Sequence, residues 1–250
     1  MSQALTPIRA QGPADTRVYA IGDIHGRLDL LDRLLGQIAR DADTAPSRRV
    51  LITMGDLIDR GADSAGVIKR LMELHTEPLF NGFKLHFLKG NHELVMEQFL
   101  AGESGGTLWF DNGGAETLES YGVPTNGGDS ADLRVEARTR IPKSHLRFLE
   151  SLQLQHREGD YAFVHAGVRP GVPLDRQDPD DLLWIRKAFL ESTADLGAVI
   201  VHGHTPVETP EVTPNRIAID TRAWYSGVLT CLVIDGEARR FLTTANNPHD

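Results

Sequence analysis

Five times in this chain a β-rich run is followed at once by a short stretch carrying Asp, Asn or His. The stretches are Gly22-Asp23-Ile24-His25-Gly26, Gly55-Asp56-Leu57-Ile58-Asp59-Arg60-Gly61, Gly90-Asn91-His92-Glu93, His165-Ala166-Gly167 and His202-Gly203-His204-Thr205. One Gly-Asp after a strand is an ordinary turn or helix cap. Five in succession put polar groups where α/β folds gather their ligands, just beyond the strand ends. Such a chain must fold so that segments far apart in sequence meet at one edge.

The intervening pattern is consistent with that demand. Residues 18–21, 50–54 and 84–88 read as strands. Between them Leu28, Leu31, Leu34, Leu35 and Ile38, then Val67, Ile68, Leu71, Met72 and Leu74, follow helical spacing. The β-α-β-α-β order predicts a largely parallel sheet with right-handed crossovers. Over 101–139 the texture changes, punctuated by Gly105-Gly106, Gly113-Gly114 and Gly127-Gly128, and reads as a cap-like excursion over the site. Residues 144–154 return to a helical pattern. The second half is richer in strands, at 161–164, 198–201, 217–219 and 228–234, so the whole is expected to be a mixed sandwich. Residues 1–16 read as a flexible N-terminal arm before a single domain over 17–245, with 246–250 frayed.

Composition narrows the partners. The formal net charge of −9 gives no general basic field for nucleic acid or an anionic membrane, and neither partner is expected. It leaves an anionic substrate open, because bound metals reverse the local sign. The single cysteine, Cys231, makes neither an internal disulfide nor a thiolate zinc site and reads as a buried thiol. No apolar run is long enough to span a bilayer, and the start does not read as a signal peptide. The default location is therefore cytoplasmic. No heptad or exposed apolar stripe specifies an oligomer.

The residue types at the strand ends suit hard or borderline divalent ions. Carboxylates, imidazoles and one amide oxygen fit Mn, Fe or Zn better than copper. Asp23 and His25, two residues apart, can both face one ion. Asp56 can bridge two ions through its two oxygens.

In order and spacing, GDIHG, GDLIDRG, GNHE, HAG and HGHT resemble the phosphoprotein phosphatase branch of the calcineurin-like metallophosphoesterases. The softer matches Trp109 to Tyr121, Leu183-Trp184-Ile185-Arg186 and Ala218-Ile219-Asp220-Thr221 are similar to its small bacterial serine/threonine protein phosphatase type. The resemblance implies an α/β (α+β) fold, a four-layer α/β/β/α sandwich with mixed sheets and its site at the C-terminal strand ends. It implies two divalent ions, with Mn²⁺ first and Fe or Zn also fitting. Asp23, His25 and Asp56 would hold the first ion, and Asp56, Asn91, His165 and His204 the second. Where related branches carry a further His ligand, Pro206 stands here, so the first ion would be more open.

The chemistry so implied is hydrolysis of a phosphoester by a metal-activated hydroxide, without a phosphoenzyme. His92 would protonate the leaving group, with Asp59 as its partner. Arg60 and Arg186 would clamp the phosphate. Substrates are expected to be phosphorylated proteins, as for a serine/threonine or dual-specificity phosphatase. Dinucleoside tetraphosphates or other small phosphoesters are the second reading. His202 reads as a packed strand-end residue, with a contact to substrate or to a metal ligand as the alternative, and Arg27 as a solvated one. Arg222 stands where the bacterial members commonly show Gly, and either narrows the site mouth or lies at the surface.

Overall fold

The structure, a computed structural model, describes residues 10–125 and 130–245. Among the described residues, ten strands form two five-stranded sheets. The first contains β1 (Thr16–Ile21), β2 (Arg48–Thr53), β3 (Phe83–Phe87), β9 (Thr230–Asp235) and β10 (Ala238–Thr243), in the order β10-β9-β1-β2-β3. The second contains β4 (Gln155–Glu158), β5 (Tyr161–Val164), β6 (Val199–His202), β7 (Glu211–Val212) and β8 (Arg216–Ala218), in the order β4-β5-β6-β8-β7. In each sheet three strands run parallel, β1-β2-β3 and β5-β6-β8, while the remaining strands pair antiparallel. The largely parallel first sheet expected from the β-α-β-α-β order is thus extended on one side by the antiparallel pair β9 and β10.

Strand alternation builds the layers. In β1, Val18 and Ala20 turn to the core between the sheets, where they join Val50, Ile52, Phe163 and Val201. Their neighbours Tyr19 and Ile21 face the other way, onto the helices. Those helices are α1 (Leu28–Ala42), α2 (Ser64–Glu73) and α3 (Asn91–Ala101). Leu31, Leu34, Leu35 and Ile38 of α1 are fully or nearly fully buried, at the positions set by the 3.6-residue period. On the far side of the second sheet Val164 and Ile200 pack against Leu182 and Phe189. These belong to α8 (Pro179–Trp184) and α9 (Lys187–Leu190). The result is the four-layer α/β/β/α sandwich.

Four local differences have physical reasons. The excursion is helical, in α4 (Thr107–Phe110), α5 (Gly114–Ser120) and α6 (Ser130–Arg140), and its residues Trp109 and Leu118 enter the core under α3. Gly127 and Gly128 lie outside the described residues. The helix expected over 144–154 is α7 (Lys143–Glu150), after which the chain enters β4. That strand reads Gln-His-Arg-Glu and has no apolar alternation, as befits a sheet edge. The arm lies mostly outside the described residues, but from Ala10 onward the chain is tied down. Gln11 N donates to Asp160 Oδ2 at 2.9 Å and Gly12 N to the Gly236 carbonyl at 2.9 Å. Residues 246–250 lie outside the description. A last short helix, α10 (Ala223–Ser226), leads toward β9. Among the described residues no helix is long and apolar enough to cross a membrane.

Candidate metal centre

The loops after β1, β2, β3, β5 and β6 meet at one edge of the sandwich. Asp23 and His25 follow β1, Asp56 to Arg60 follow β2, Asn91 and His92 open α3, His165 follows β5 and His204 follows β6. All five loops therefore deliver the residues expected of them. The backbone is tightly constrained there. His25, Asp56, Asp59, Arg60 and His204 all have positive φ, between 48° and 72°. Each such residue costs on the order of 1–3 kcal/mol and persists only where its surroundings over-determine it. Close approach also selects glycine: a side chain at Gly90 would clash with Asp56 Oδ1, and one at Gly203 with Asp23 Oδ1.

Two ligand groups share the Asp56 carboxylate. Ligand atoms of Asp56, His165 and His204 lie within 4.8 Å of one another, and so do those of His25, Asp56 and His92. In the first group His165 Nδ1 donates to the Met54 carbonyl at 2.8 Å. Its Nε2 lone pair then faces Asn91 Oδ1 at 2.9 Å, and His204 Nδ1 lies 2.8 Å from the same oxygen. Two acceptors at the His165–Asn91 distance repel each other unless a cation lies between them. In the second group His25 Nδ1 donates to the Ile58 carbonyl at 2.9 Å, leaving Nε2 3.5 Å from Asp56 Oδ2.

Asp23 stands outside both trios. One of its oxygens accepts from His204 N at 2.9 Å, while the other, Oδ1, is buried without a partner. Burial, then the nearby Asp220 and Asp56 carboxylates, hold Asp23 well above the ordinary carboxylate range. An unpartnered buried oxygen among further carboxylates is the condition that bound dications relieve. Burial keeps His25 down at about 3 and His204 at about 2, so both are neutral and able to ligate. Burial would raise Asp56, but the surrounding imidazoles outweigh it and leave this carboxyl well below its usual value. The donors present thus fit a pair of divalent ions around Asp56.

Around this centre stand the remaining expected residues. Asp59 is fully buried, and its Oδ2 lies 2.7 Å from His92 Nδ1. Trp109 Nε1 and Thr117 Oγ1, both from the excursion, donate to the same carboxylate. Burial lowers His92, but Asp56 and Asp59 more than offset it, so the imidazole lies above its ordinary value. Arg60 reaches His25 Nε2 at 3.2 Å and His92 Nε2 at 3.3 Å, and Arg186 Nε donates to His204 Nε2 at 3.1 Å. Both guanidiniums line a cavity of about 80 Å³ together with Asp56, Asn91, His92 and His204. An adjoining cavity of about 400 Å³ shares Arg60 and Asn112 with it.

Some functional candidates were not singled out by the sequence. Glu93 accepts from the backbone N–H groups of Asp56, Leu57, Ile58 and Gly90, and so ties the β2 loop to the start of α3. Burial, then Asp56, push it up to about 7. Asp220 lines the smaller cavity, and burial raises it to about 6. Trp184 and Trp224, each more than a third exposed, flank the arginines: Trp184 lines the smaller cavity and Trp224 lies 5.2 Å from the Arg60 guanidinium. His202 is fully buried and its ring packs on Phe189. Arg27 is paired with Asp29 and the Ala223 carbonyl rather than solvated. Arg222 is exposed and lines neither cavity; its φ of 55° is a left-handed conformation that glycine adopts without strain.

The family model of the calcineurin-like phosphoesterases matches residues 16–228. The asymmetrical bis(5'-nucleosyl)-tetraphosphatase PrpE of Oceanobacillus iheyensis is 26% identical over 235 residues, covering 86% of this chain and 87% of the relative. Serine/threonine-protein phosphatase 1 of Salmonella typhimurium is 28% identical over 218 residues, covering 85% and 89%. Among solved structures, a protein proposed to be a diadenosine tetraphosphatase superposes with a TM-score of 0.61 at 21% identity, over 94% of this chain and all of that one. A cold-active protein tyrosine phosphatase gives 0.58 at 19%, over 93% and 81%. At these identities the two superpositions speak for the fold alone.

Proposed function

This chain belongs to the calcineurin-like phosphoesterase family, and from that premise we propose that it hydrolyses dinucleoside tetraphosphates at a binuclear centre activated by Mn²⁺. The observation that carries the substrate class is the pair of half-exposed indoles, Trp184 and Trp224, beside the two arginines of the phosphate cavity. Aromatic faces stack on bases, while guanidiniums bind phosphates bidentately. Tetraphosphatases among the relatives support the same reading. Asp23, His25 and Asp56 would hold one ion, and Asp56, Asn91, His165 and His204 the other. When bound, the ions would polarise phosphoryl oxygens and lower the pKa of water enough to supply the nucleophile. Arg60 and Arg186 would leave their imidazole contacts to orient the phosphate chain. Asp59, fixed by Trp109 and Thr117, would hold His92 so that Nε2–H meets the leaving oxygen.

Initial rates on diadenosine tetraphosphate and on a phosphoserine peptide, each with Mn²⁺, test this. We expect the dinucleotide to be preferred, and Trp224→Ala to raise its KM several-fold with little change in kcat. A Trp224→Ala enzyme with an unchanged KM removes the stacking argument.

One observation favours a second reading, a serine/threonine phosphatase. The buried His92–Asp59 pair is built to supply a proton, and a serine or threonine alkoxide needs one more than a phosphate leaving group does. Preference for the peptide in the same assay would establish it.

A further inference from the structure

Away from this centre, the sandwich has an edge where β3 of one sheet meets β4 of the other. Leu88 and Gln153 bridge them. Lys89 N donates to the Gln153 carbonyl at 2.8 Å, and Gln153 N to the Phe87 carbonyl at 2.9 Å. Beside this bridge His86 of β3 stacks on His156 of β4, with ring centroids 3.6 Å apart and planes at 23°. Glu158, two residues along β4 and so on the same face, lies 3.0 Å from His156 Nε2. Arg48 grips both Glu158 oxygens, at 2.8 and 2.7 Å. One ligand atom from each of His86, His156 and Glu158 lies within 4.8 Å of the other two. None of the three lines either cavity of the phosphate site.

We infer that His86, His156 and Glu158 form a separate site for a borderline divalent cation such as Zn²⁺, which clasps the two sheets at their open edge. Two imidazoles and a carboxylate, without thiols, match the donor set of zinc and its late first-row neighbours rather than the all-oxygen cages of Mg²⁺ or Ca²⁺. The carboxylate is already oriented. Arg48 fixes its plane from behind, and Oε2, which accepts from Arg48 alone, keeps a further lone pair for the ion. Gln153 Oε1, 3.4 Å from His86 Nδ1, favours the proton on that nitrogen and leaves Nε2 to ligate. Closing the ligand atoms to the roughly 2 Å bonds of zinc needs side-chain rotation of two partly exposed rings, and the fourth position stays open to water.

The test uses the full chain. Purified protein is dialysed to equilibrium against Zn²⁺ and its bound zinc measured by atomic emission. The double variant His86→Asn/His156→Asn is expected to hold one ion fewer per chain than wild type while keeping its Mn²⁺-dependent hydrolysis. Equal zinc content in the two proteins overturns the site. If the variant fails to fold, labelling of the wild type by diethyl pyrocarbonate decides. Zn²⁺ is expected to protect both His86 and His156, as read by peptide mass spectrometry, and equal labelling with and without zinc overturns the site as well.

Discussion

Trp109 donates its indole N–H to both oxygens of the Asp59 carboxylate, at 3.0 and 2.9 Å, across 50 positions of sequence. The excursion between the first three strands and the second half of the chain therefore does more than connect. Its short helix α4 supplies a donor to a buried carboxylate whose other oxygen contacts include His92 and Thr117. With three donors around it, the carboxylate has little rotational freedom, and the His92 ring is fixed in turn.

Trp109→Phe removes one of those donors while keeping most of the aromatic packing on Phe99. A hydrogen bond to a charged group contributes about 1.5–3 kcal/mol. If half of that is felt in the transition state, kcat falls about four- to twelvefold. Metal content, measured by atomic emission, should stay at the wild-type value. Loss of metal together with activity would instead place Trp109 among the supports of the ligand loops.

Asp59→Asn should move the pH profile in a definite direction. Burial depresses His92, and the Asp56 and Asp59 carboxylates raise it above its ordinary value. A histidine acting as an acid works only below its folded pKa, so the alkaline limb of kcat marks the loss of its proton as pH rises. Removing the Asp59 charge lowers that pKa. The limb must shift to lower pH, with a reduced plateau. A limb that stays in place while the plateau drops would make Asp59 a purely structural support.

The ligand loops were legible because each packs its chemistry into a few contiguous residues after a strand, and strand periodicity is a local signal. The partners of Asp59 other than His92 were not, since nothing in Trp109 or Thr117 alone distinguishes a donor to a buried carboxylate from an ordinary core residue. Strand β4 was invisible for the opposite reason. Its stability comes from pairing with β5 and from the Arg48–Glu158 contact, while its own residues are polar. The left-handed backbone of Asp59 and Arg60 was equally hidden, because a non-glycine residue adopts it only when tertiary contacts impose it. Arg60 N, for example, donates to the Gly113 carbonyl of the excursion.

His92→Asn tests the proton donor by leaving group. The variant loses the proton donor, and general acid catalysis contributes roughly two to four decades. That full loss is expected on a phosphoserine peptide, whose alkoxide leaves poorly without a proton. On p-nitrophenyl phosphate, whose phenolate leaves readily, the loss should be much smaller. Parallel kcat measurements on the two substrates check this, and equal losses would assign His92 to phosphate binding or ligation instead. Ligation is a concrete rival, because His92 Nε2 lies 3.8 Å from Asp56 Oδ2, in the same trio as His25.

Asp56→Asn tests the shared carboxylate. In both ligand groups Asp56 is the common member, with Oδ1 3.4 Å from His165 and Oδ2 3.5 Å from His25. Asparagine keeps the volume and one oxygen, but replaces the other with a donor that faces a neutral imidazole instead of a cation. The negative charge is lost as well, at a position where the imidazoles hold the carboxyl ionised. Both ions should therefore weaken together. Dialysis against Mn²⁺ followed by elemental analysis should show less than half of the wild-type metal, and hydrolysis should fall to background. A variant that loses one ion and keeps the other would show that the two groups are independent, and would leave Asp23, with its unpartnered Oδ1, as the carboxylate that completes the first.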